Sequence, residues 1–325
     1  MINKEIKISV AMTTYNGERY VIKQLDSILR QTRVPDEVVI CDDGSQDTTV
    51  DLVTTFIETH KLANWHLYQN NPNLGWQKNF FKAAGKTTGD IVFFSDQDDI
   101  WKEEKIEMMS NMMCERQMGC LYSEKTIIDG EDKFIEGRQD KNHYTADVKK
   151  ITLSNSFFDL KTLGCCMCVD RALLDLYLKL DFPEGGHDSQ CGRLAVLTSS
   201  LWHIDLPLIE YRIHGNNTSG ISGKASFGQS STAKRINDID TTKRWMEKLL
   251  AELNLDERKK QLLERCHRFQ AKRLKYFNNE TSILSLFINM KYYRNISMFC
   301  GDIAYKHNIN NLLGTLRWRI GRILN

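Results

Sequence analysis

Short apolar runs alternate with segments of helical periodicity through the first third of the chain. The runs in IKISVAMTTYN, DEVVICDDG and DIVFFSDQDD are typical of buried strands, because a strand covered on both faces is apolar on both. Between the first two runs, YVIKQLDSILRQT places Val21, Leu25 and Ile28 on one face of a helix. Strands that alternate with helices predict βαβ units. We therefore expect an α/β fold with a mainly parallel, Rossmann-like sheet flanked by helices.

The next segments extend this pattern less regularly. We expect a strand in WHLYQN, a helix over residues 79–85, and a charged, Met-rich helix from Trp101 to about Gln117. The segment CLYSEKTIID predicts a further strand, and the polar residues 130–150 are typical of a loop.

The composition changes after His214, where a stretch rich in Gly, Ser, Thr and Asn has no apolar period, as is typical of a linker. Beyond this stretch the pattern becomes helical and rich in Lys, Arg, Leu and Glu. We therefore expect a main domain over residues 1–220, a linker over 221–234 and a helical extension over 235–325.

The last residues, LRWRIGRILN, interleave arginines with Leu, Trp and Ile. Such a segment fits an anionic membrane surface, where the cations meet lipid head groups and the apolar residues enter the interface. It fits an ordinary amphipathic helix docked on the main domain equally well. Peripheral membrane association is therefore one of two open interpretations of this tail.

The composition is that of a globular protein, with 41% hydrophobic and 26% charged residues in a chain of 325. The 44 basic and 42 acidic residues leave a net charge of +2, so we expect no nucleic-acid partner. The first apolar run, Ile6 to Met12, is too short for a signal peptide, and no stretch of about 18 apolar residues predicts a spanning helix. We expect a cytoplasmic protein.

The nine cysteines are odd in number, and several lie within predicted regular elements, which suits a reducing compartment. Cys165, Cys166 and Cys168 contain a single CxxC spacing and lack the second CxxC pair with which four thiolates converge on zinc. We interpret them as small buried side chains.

Polar residues follow three predicted strands at the points where the strands end: TTYNG (13–17), DDGS (42–45) and DQDD (96–99). Because the carboxyl ends of parallel strands meet at one edge of a sheet, we expect these loops to form one site. Carboxylate oxygens suit Mg²⁺ or Mn²⁺, and TTYNG precedes a helix start where phosphate can bind. Helix capping is the alternative for each acidic loop, but three carboxylates in four residues exceed that need.

Two common nucleotide-binding motifs do not occur in the sequence. Neither GxGxxG nor GxxxxGK[ST] is found, which excludes the usual dinucleotide-dependent dehydrogenase and P-loop NTPase. Contacts to a phosphate must then come from the strand-end loops.

The motifs follow one another as TTYNG, VVICDDGS, NLGWQKNF, FFSDQDDIW, His187-Asp188 and YRIHGNN. This order resembles the family 2 glycosyltransferases of the GT-A fold, closest to bacterial rhamnosyltransferase-type members, over about residues 5–220. The resemblance implies a GT-A fold with a helical C-terminal extension and a DXD motif at Asp96-Gln97-Asp98.

The resemblance also implies roles for individual residues. Asp98 would be the main ligand of a divalent metal, Mg²⁺ or Mn²⁺, with Asp96 and His214 beside it. The implied donor-binding residues are Thr13, Tyr15, Asn16, Asp43, Lys78, Asn79, Asp96 and Arg212. The implied catalytic base is Asp188, and the implied acceptor-binding residues are Gly164, Cys165 and His187.

Structural alternatives stay open for some of these side chains. His214 can be a hydrogen-bonding group of the fold, and Arg212 can form a salt bridge to the sheet instead of contacting phosphate. Trp76 and Trp101 can stack on a sugar or base, or pack in the core or at its rim.

The activity implied by the resemblance is transfer of a sugar, with inversion, from a nucleotide-diphosphate donor to a saccharide or lipid-linked glycan. The leading donor is dTDP-L-rhamnose, the alternative is a UDP-hexose or UDP-N-acetylhexosamine, and the implied role is cell-surface polysaccharide biosynthesis. Two further interpretations are a non-enzymatic, membrane-associated binding protein and a nucleotidyltransferase. A nucleotidyltransferase usually has a Gly-rich, basic loop after the first strand, and the segment TTYNGERY does not provide one.

Overall fold

A computed structural model of the chain describes residues 6–135, 143–153, 160, 162–215 and 232–280. These residues fall into two compact units, the second of which comprises 232–280. The predicted linker lies outside the described residues except for the first turn of a helix that begins at Thr232, and the basic tail lies wholly outside them. The proposed domain boundaries stay a prediction.

The first unit alternates strands and helices, as the apolar pattern predicts. Its elements are β1 (Ile8–Thr14), α1 (Val21–Leu29), β2 (Glu37–Asp42), α2 (Thr49–Thr59), β3 (Trp65–Gln69), α3 (Trp76–Lys86), β4 (Ile91–Ser95), β5 (Ile100–Trp101), α4 (Lys105–Arg116), β6 (Cys120–Ile128), β7 (Val148–Lys150), a 3₁₀ turn (Gly164–Cys166), β8 (Met167–Asp170), α5 (Arg171–Lys179), α6 (His187–Leu197) and β9 (Leu201–Arg212).

The strands form one sheet in the order β3-β2-β1-β4-β8-β6-β9-β5, and β7 pairs with β9. The neighbours among β3, β2, β1 and β4 are parallel, whereas β8 runs antiparallel to both β4 and β6. The predicted α/β sheet with flanking helices is confirmed, but the sheet is mixed beyond β4. Every residue of β1, β2 and β4 is buried, because the central strands are covered on both faces.

Three predicted elements differ in the structure. The Met-rich helix α4 begins at Lys105 and not at Trp101, because Trp101 pairs with Ile209 in the short strand β5. Trp101 is only 2% exposed, so it belongs to the core. Helix α3 begins at Trp76, three residues before the predicted start. Within the predicted polar loop, β7 pairs with β9, while residues 136–142 are outside the described part.

The second unit contains two helices, α7 (Thr232–Glu252) and α8 (Glu257–Phe277), which confirms the predicted helical extension. The Asp256 side chain caps α8 by accepting a hydrogen bond from the Lys259 backbone N–H at 2.9 Å. A small apolar cluster of Ile239, Phe269, Tyr276 and Phe277 holds the unit together. Among the helices of both units, none that the structure describes is long and apolar enough to cross a bilayer.

Candidate active site

The three polar loops end at the same edge of the sheet. The parallel register places Thr14 of β1 beside Asp42 of β2, and Met12 of β1 beside Ser95 of β4. The loops that follow these strands are therefore neighbours, as the sequence predicts.

The TTYNG loop is fastened to both acidic loops. The Tyr15 backbone N–H donates to Gln97 Oε1 at 2.8 Å, and Gln97 Nε2 donates to the Tyr15 carbonyl at 2.9 Å. Gly17 permits this approach, because a β-carbon there would lie 2.2 Å from Gln97 Oε1. The Asn16 backbone N–H donates to Ser45 Oγ at 2.9 Å. Tyr15 remains 48% exposed, so its ring is available at the site.

The two carboxylates of DDGS point into the protein. Asp42 accepts hydrogen bonds from the hydroxyl of Thr14 at 2.8 Å and from the backbone N–H of Ser45 at 2.9 Å. Asp43 accepts from the backbone N–H groups of Leu74 and Gly75, at 2.8 and 2.9 Å. Asp43 therefore fixes the start of α3, and its contact with a nucleotide stays a prediction, as does that of the nearby, buried Thr13.

The two predicted donor-binding residues of α3 lie in different surroundings. Asn79 is 1% exposed, and its Nδ2 donates to the Cys41 carbonyl at 2.8 Å. Its Oδ1 accepts from Asn70 Nδ2 at 2.8 Å, which links it to the network around Asp43. Lys78 is exposed. A donor could reach Lys78 without rearrangement of the protein. Asn79 instead stabilises the DDGS loop through its buried hydrogen bonds.

The DQDD loop holds carboxylates in three environments. Asp98 Oδ2 lies 2.7 Å from His214 Nε2. Asp96 is partly buried, and its burial together with the charges of Asp98 and Asp188 raises its pKa to about 7. Asp99 is 1% exposed, and burial raises its pKa well above the ordinary value. Such a cluster is stabilised by a cation, because carboxylates this close repel one another.

Oxygens of Asp96 and Asp99 and the Cys165 sulfur lie within 4.8 Å of one another. Asp99 Oδ2 is buried and has no hydrogen-bond partner among the described residues. This orphaned oxygen fits a hard divalent cation such as Mg²⁺ or Mn²⁺. Asp99 is therefore a further candidate ligand, as the carboxylates of DQDD predict, although the family resemblance implies only Asp96, Asp98 and His214. The Asp98 and His214 pair is not part of this close group, so its role in holding the ion stays a prediction.

Arg212 stabilises the DQDD loop from the interior of the protein. Its side chain is fully buried, and its Nε donates to the Asp98 carbonyl at 2.6 Å. Its Nη1 donates to the Asp129 carbonyl at 3.0 Å and forms an ion pair with Asp132. The guanidinium also lies 4.6 Å from the centre of the Tyr20 ring. These contacts match the structural alternative for Arg212, and its contact with phosphate stays a prediction.

A second buried cation, Lys105, was not among the predicted site residues. Its Nζ donates a hydrogen bond to the Cys165 carbonyl and lies 3.9 Å from the centre of the Trp101 ring. Burial lowers the pKa of Lys105 below its ordinary value, and the neighbouring Cys166 and Cys165 offset this only in part. No local pattern distinguishes this lysine from the exposed charges of α4. The predicted burial of Cys165 and Cys166 is confirmed.

Asp188 lies in the first turn of α6, where its Oδ1 accepts a hydrogen bond from the Ser189 backbone N–H at 2.6 Å. Burial raises the pKa of Asp188, which suits a group that accepts a proton. A β-carbon on Gly186 would lie 2.7 Å from Asp188 Oδ1 and 2.9 Å from Trp76 Cη2. The indole edge of Trp76 therefore faces this carboxylate across Gly186, and the indole is 41% exposed.

His187 is packed in the interior, beside Asp188 in the chain. Its ring centre lies 4.0 Å from that of Phe80 and 4.5 Å from that of Phe94. Burial lowers the pKa of His187 to about 3, so the imidazole is neutral at physiological pH. Its predicted contact with an acceptor stays a prediction.

Gly164 is the close neighbour of this histidine. A β-carbon at Gly164 would lie 2.0 Å from His187 Nε2, and the imidazole is buried against two phenylalanine rings. We expect Gly164→Ala to lower the free energy of unfolding by about 1–3 kcal/mol, the usual cost of overpacking a core. Urea titration of the purified protein measures this loss.

The matched control is Gly85→Ala in α3. A β-carbon there would meet Leu178 Cδ2 at 3.7 Å, an ordinary contact. We expect this variant to be more stable by about 0.5–1 kcal/mol, because alanine is the better helix former. Equal stability of the two variants would contradict the tight packing of Gly164 on His187.

The sequence model of the family described as Glycosyl transferase family 2 matches residues 9–173, about half of the chain. The chain belongs to glycosyl transferase family 2. This confirms the predicted family and enzyme class, and it disfavours the nucleotidyltransferase and the non-enzymatic binding protein.

Several curated proteins are similar in sequence to this glycosyltransferase. An uncharacterized glycosyltransferase of Nostoc sp. is 28% identical over 278 residues, which cover 84% of this chain and 83% of that protein. The dTDP-rhamnosyl transferase RfbG of Shigella flexneri is 28% identical over 232 residues, 66% of this chain and 76% of RfbG. The Escherichia coli UDP-Glc:alpha-D-GlcNAc-diphosphoundecaprenol beta-1,3-glucosyltransferase WfgD is 30% identical over 172 residues, 52% of this chain and 62% of WfgD.

Solved structures share the fold of the glycosyltransferase. S. aureus TarS 1-349 in complex with UDP-GlcNAc matches 91% of this chain and 81% of that chain, with 19% identity and a TM-score of 0.61. The mannosyltransferase PcManGT of Pyrobaculum calidifontis, in complex with GDP-Man and Mn²⁺, matches 95% and 88%, with 17% identity and a TM-score of 0.52. These likenesses confirm the predicted GT-A fold.

Proposed function

We propose that this glycosyltransferase transfers a sugar, with inversion, from a nucleotide-diphosphate donor to a hydroxyl of a glycan acceptor. The observation that supports the proposal is the packing of the start of α6 on the end of β4, where the ring centres of His187 and Phe94 lie 4.5 Å apart. This contact brings Asp188 towards the DQDD loop that follows β4. A general base and a cluster suited to a cation thus belong to one site. Inversion needs this arrangement, because the base and the leaving diphosphate act on opposite sides of the anomeric carbon.

Asp96, Asp98 and His214 would hold the divalent cation, with Asp99 as a further candidate. When bound, the cation stabilises the charge that develops on the leaving diphosphate. The protein holds these groups in place beforehand: Arg212 binds the Asp98 carbonyl, and the Arg212 backbone N–H donates to Asp99 Oδ1 at 3.0 Å. A fixed loop of this kind loses little entropy when the ligand binds.

Asp188 would take the proton from the acceptor hydroxyl. The hydrogen bond from the Ser189 N–H orients the carboxylate, and the apolar edge of the Trp76 indole lies beside it. Proton transfer to a positioned carboxylate contributes about 10²–10⁴ to the rate. Tyr15, Asn16 and Lys78, which are exposed at the strand ends and on α3, are the donor contacts that we favour.

For the donor we propose dTDP-L-rhamnose, and the likeness to the rhamnosyl transferase RfbG supports this choice. A UDP-hexose or UDP-N-acetylhexosamine is the second candidate. It is supported by the likeness to WfgD, whose name specifies UDP-Glc.

The acceptor we propose is a saccharide or lipid-linked glycan, used in cell-surface polysaccharide biosynthesis. The undecaprenol-linked substrate in the name of WfgD supports an acceptor of this chemistry. Such an acceptor lies at the membrane, so we propose a cytoplasmic enzyme that associates peripherally with the inner face. The tail around LRWRIGRILN, outside the described residues, is one candidate for this contact.

Calorimetric titration with dTDP, UDP and GDP tests the donor class, with Mn²⁺, with Mg²⁺ and with a chelator. We expect metal-dependent binding of dTDP, or of UDP if the second candidate is correct. Selective binding of GDP would exclude both proposed donors. Absence of binding to all three nucleotides under every condition would contradict the proposed use of the site.

A further inference from the structure

One face of helix α8 carries a row of cations that the site does not use. Arg265, Arg268, Lys272 and Lys275 recur at intervals of three and four residues, so they lie on the same side of the helix. Arg265, Arg268 and Lys275 are exposed and Lys272 is partly exposed. With a rise of about 1.5 Å per residue, the row is about 15 Å long. We call these four residues the α8 row.

The α8 row is not balanced by neighbouring acids in the sequence. No Asp or Glu occurs from Arg265 to Lys275. The carboxylate that precedes the row, Glu264, lies 3.8 Å from Arg268, whose side chain remains 63% exposed. From α7, Glu247 binds Lys243 and His267. The stretch from Arg265 to Lys275 is therefore cationic in sequence, on a chain whose total charge is only +2.

Stabilisation of the helix end does not account for the whole row. Cations interact favourably with the C-terminal end of a helix, but this effect is limited to about the last turn. Lys275 lies in that turn, whereas Arg265 and Arg268 lie two to three turns before Phe277. Both side chains are exposed.

The surroundings of the row favour a flat anionic surface over a nucleic acid. Single-stranded nucleic acids bind where cations alternate with exposed aromatic rings, on which the bases stack. The aromatic residues of α8 that follow the start of the row, Phe269, Tyr276 and Phe277, are all buried. A diffuse row of cations without stacking platforms suits the head groups of an anionic lipid bilayer.

We infer that the α8 row is a surface on which the enzyme binds anionic membranes. This inference rests on the peripheral association proposed above and assigns the contact to the described helix α8 in place of the tail. It goes beyond sugar transfer, because it names the partner as a bilayer of acidic phospholipids and the contact as electrostatic.

Sedimentation of the full-length chain with vesicles tests this surface. We expect the protein to bind phosphatidylcholine vesicles that contain about 30% phosphatidylglycerol and not to bind vesicles of pure phosphatidylcholine. We also expect the bound protein to dissociate at high salt. Each cation near an anionic surface strengthens partitioning about fivefold. Arg268→Glu combined with Lys272→Glu should therefore weaken binding by at least about 30-fold, while the charge-conserving Arg268→Lys with Lys272→Arg retains it.

The matched control combines Lys61→Glu with Arg116→Glu, which changes the net charge equally at two exposed positions of the first unit. We expect this control to bind vesicles nearly as well as the natural protein. Equal losses in both double variants would overturn the inference, and so would unchanged binding in the α8 variant. If the glutamate variant does not fold, Arg268→Gln with Lys272→Gln must still weaken binding more than tenfold.

Two parallel measurements separate the possible failures. Calorimetric nucleotide binding on the same samples reports on the donor site independently, so loss of vesicle binding alone leaves sugar transfer intact. A labelled DNA oligomer is the second probe. If the α8 row governs binding of DNA and not of anionic vesicles, the membrane inference is wrong.

Discussion

Asp188→Asn is expected to lower turnover at least about 100-fold while nucleotide binding stays within a factor of two or three. Asparagine has nearly the same shape as aspartate, and its carbonyl oxygen can still accept the hydrogen bond from the Ser189 N–H. It cannot accept the proton of an acceptor hydroxyl. Initial-rate assays with a saturating donor measure the loss, and calorimetry measures the retained binding.

The pH dependence of the same variant separates a base from a structural carboxylate. A base must be ionised, so the activity of the natural enzyme should rise with pH through the pKa of Asp188, which burial raises above its ordinary value. Because the folded state favours the protonated form, ionised Asp188 lowers stability once the pH exceeds its unfolded pKa. Asp188→Asn should therefore lose the acidic limb of the pH profile and be at least as stable at pH 7.

The matched control is Asp175→Asn on α5, an exposed carboxylate in a loose ion pair with Arg171 at 3.5 Å. We expect its turnover and pH profile to match those of the natural enzyme. If Asp188→Asn keeps more than a tenth of the natural turnover, Asp188 is not the base. A large loss of thermal stability in that variant would instead indicate a structural role.

The sequence predicts the edge of the sheet on which the site lies because that prediction depends on local features. An apolar run that ends in polar residues identifies a strand end, and the parallel topology brings several such ends together. The loops TTYNG, DDGS and DQDD are therefore neighbours, as expected. The family resemblance is confirmed for the same reason, since it depends on the order of these motifs.

The sequence does not predict which polar side chains of the site turn inward. Asp43 accepts backbone hydrogen bonds from Leu74 and Gly75, about thirty residues away, and Arg212 binds the Asp98 carbonyl from more than a hundred residues away. Such contacts depend on tertiary packing, for which a single sequence has no periodic signal. Burial of Lys105 and His187 is unpredictable for the same reason, because their neighbours come from distant elements.

Asp98→Ala is expected to weaken metal-dependent nucleotide binding at least about 100-fold, since loss of even an outer-shell partner costs 10- to 100-fold in metal affinity. Asp98 is partly exposed, unlike the buried Asp99, and its Oδ2 lies 2.7 Å from His214 Nε2, so the pair presents an oxygen and a nitrogen at one point. Alanine removes the carboxylate oxygens of the side chain. The backbone carbonyl of residue 98, which accepts the hydrogen bond from Arg212, stays in place. Titration of the nucleotide with Mn²⁺ and with chelator measures the difference.

His214→Ala tests whether His214 is itself a metal ligand or only orients the Asp98 carboxylate. If the imidazole is itself a ligand, the variant should lose metal-dependent affinity about as strongly as Asp98→Ala, and the double variant should add little, because both side chains serve one ion. If His214 only orients Asp98, the single loss should be the smaller of the two. Asp175→Ala on α5 is the control and should bind the nucleotide normally. Unchanged binding in Asp98→Ala would exclude Asp98 as the main ligand and leave Asp96 and Asp99, whose oxygens lie close to the Cys165 sulfur, as the carboxylates that hold the ion.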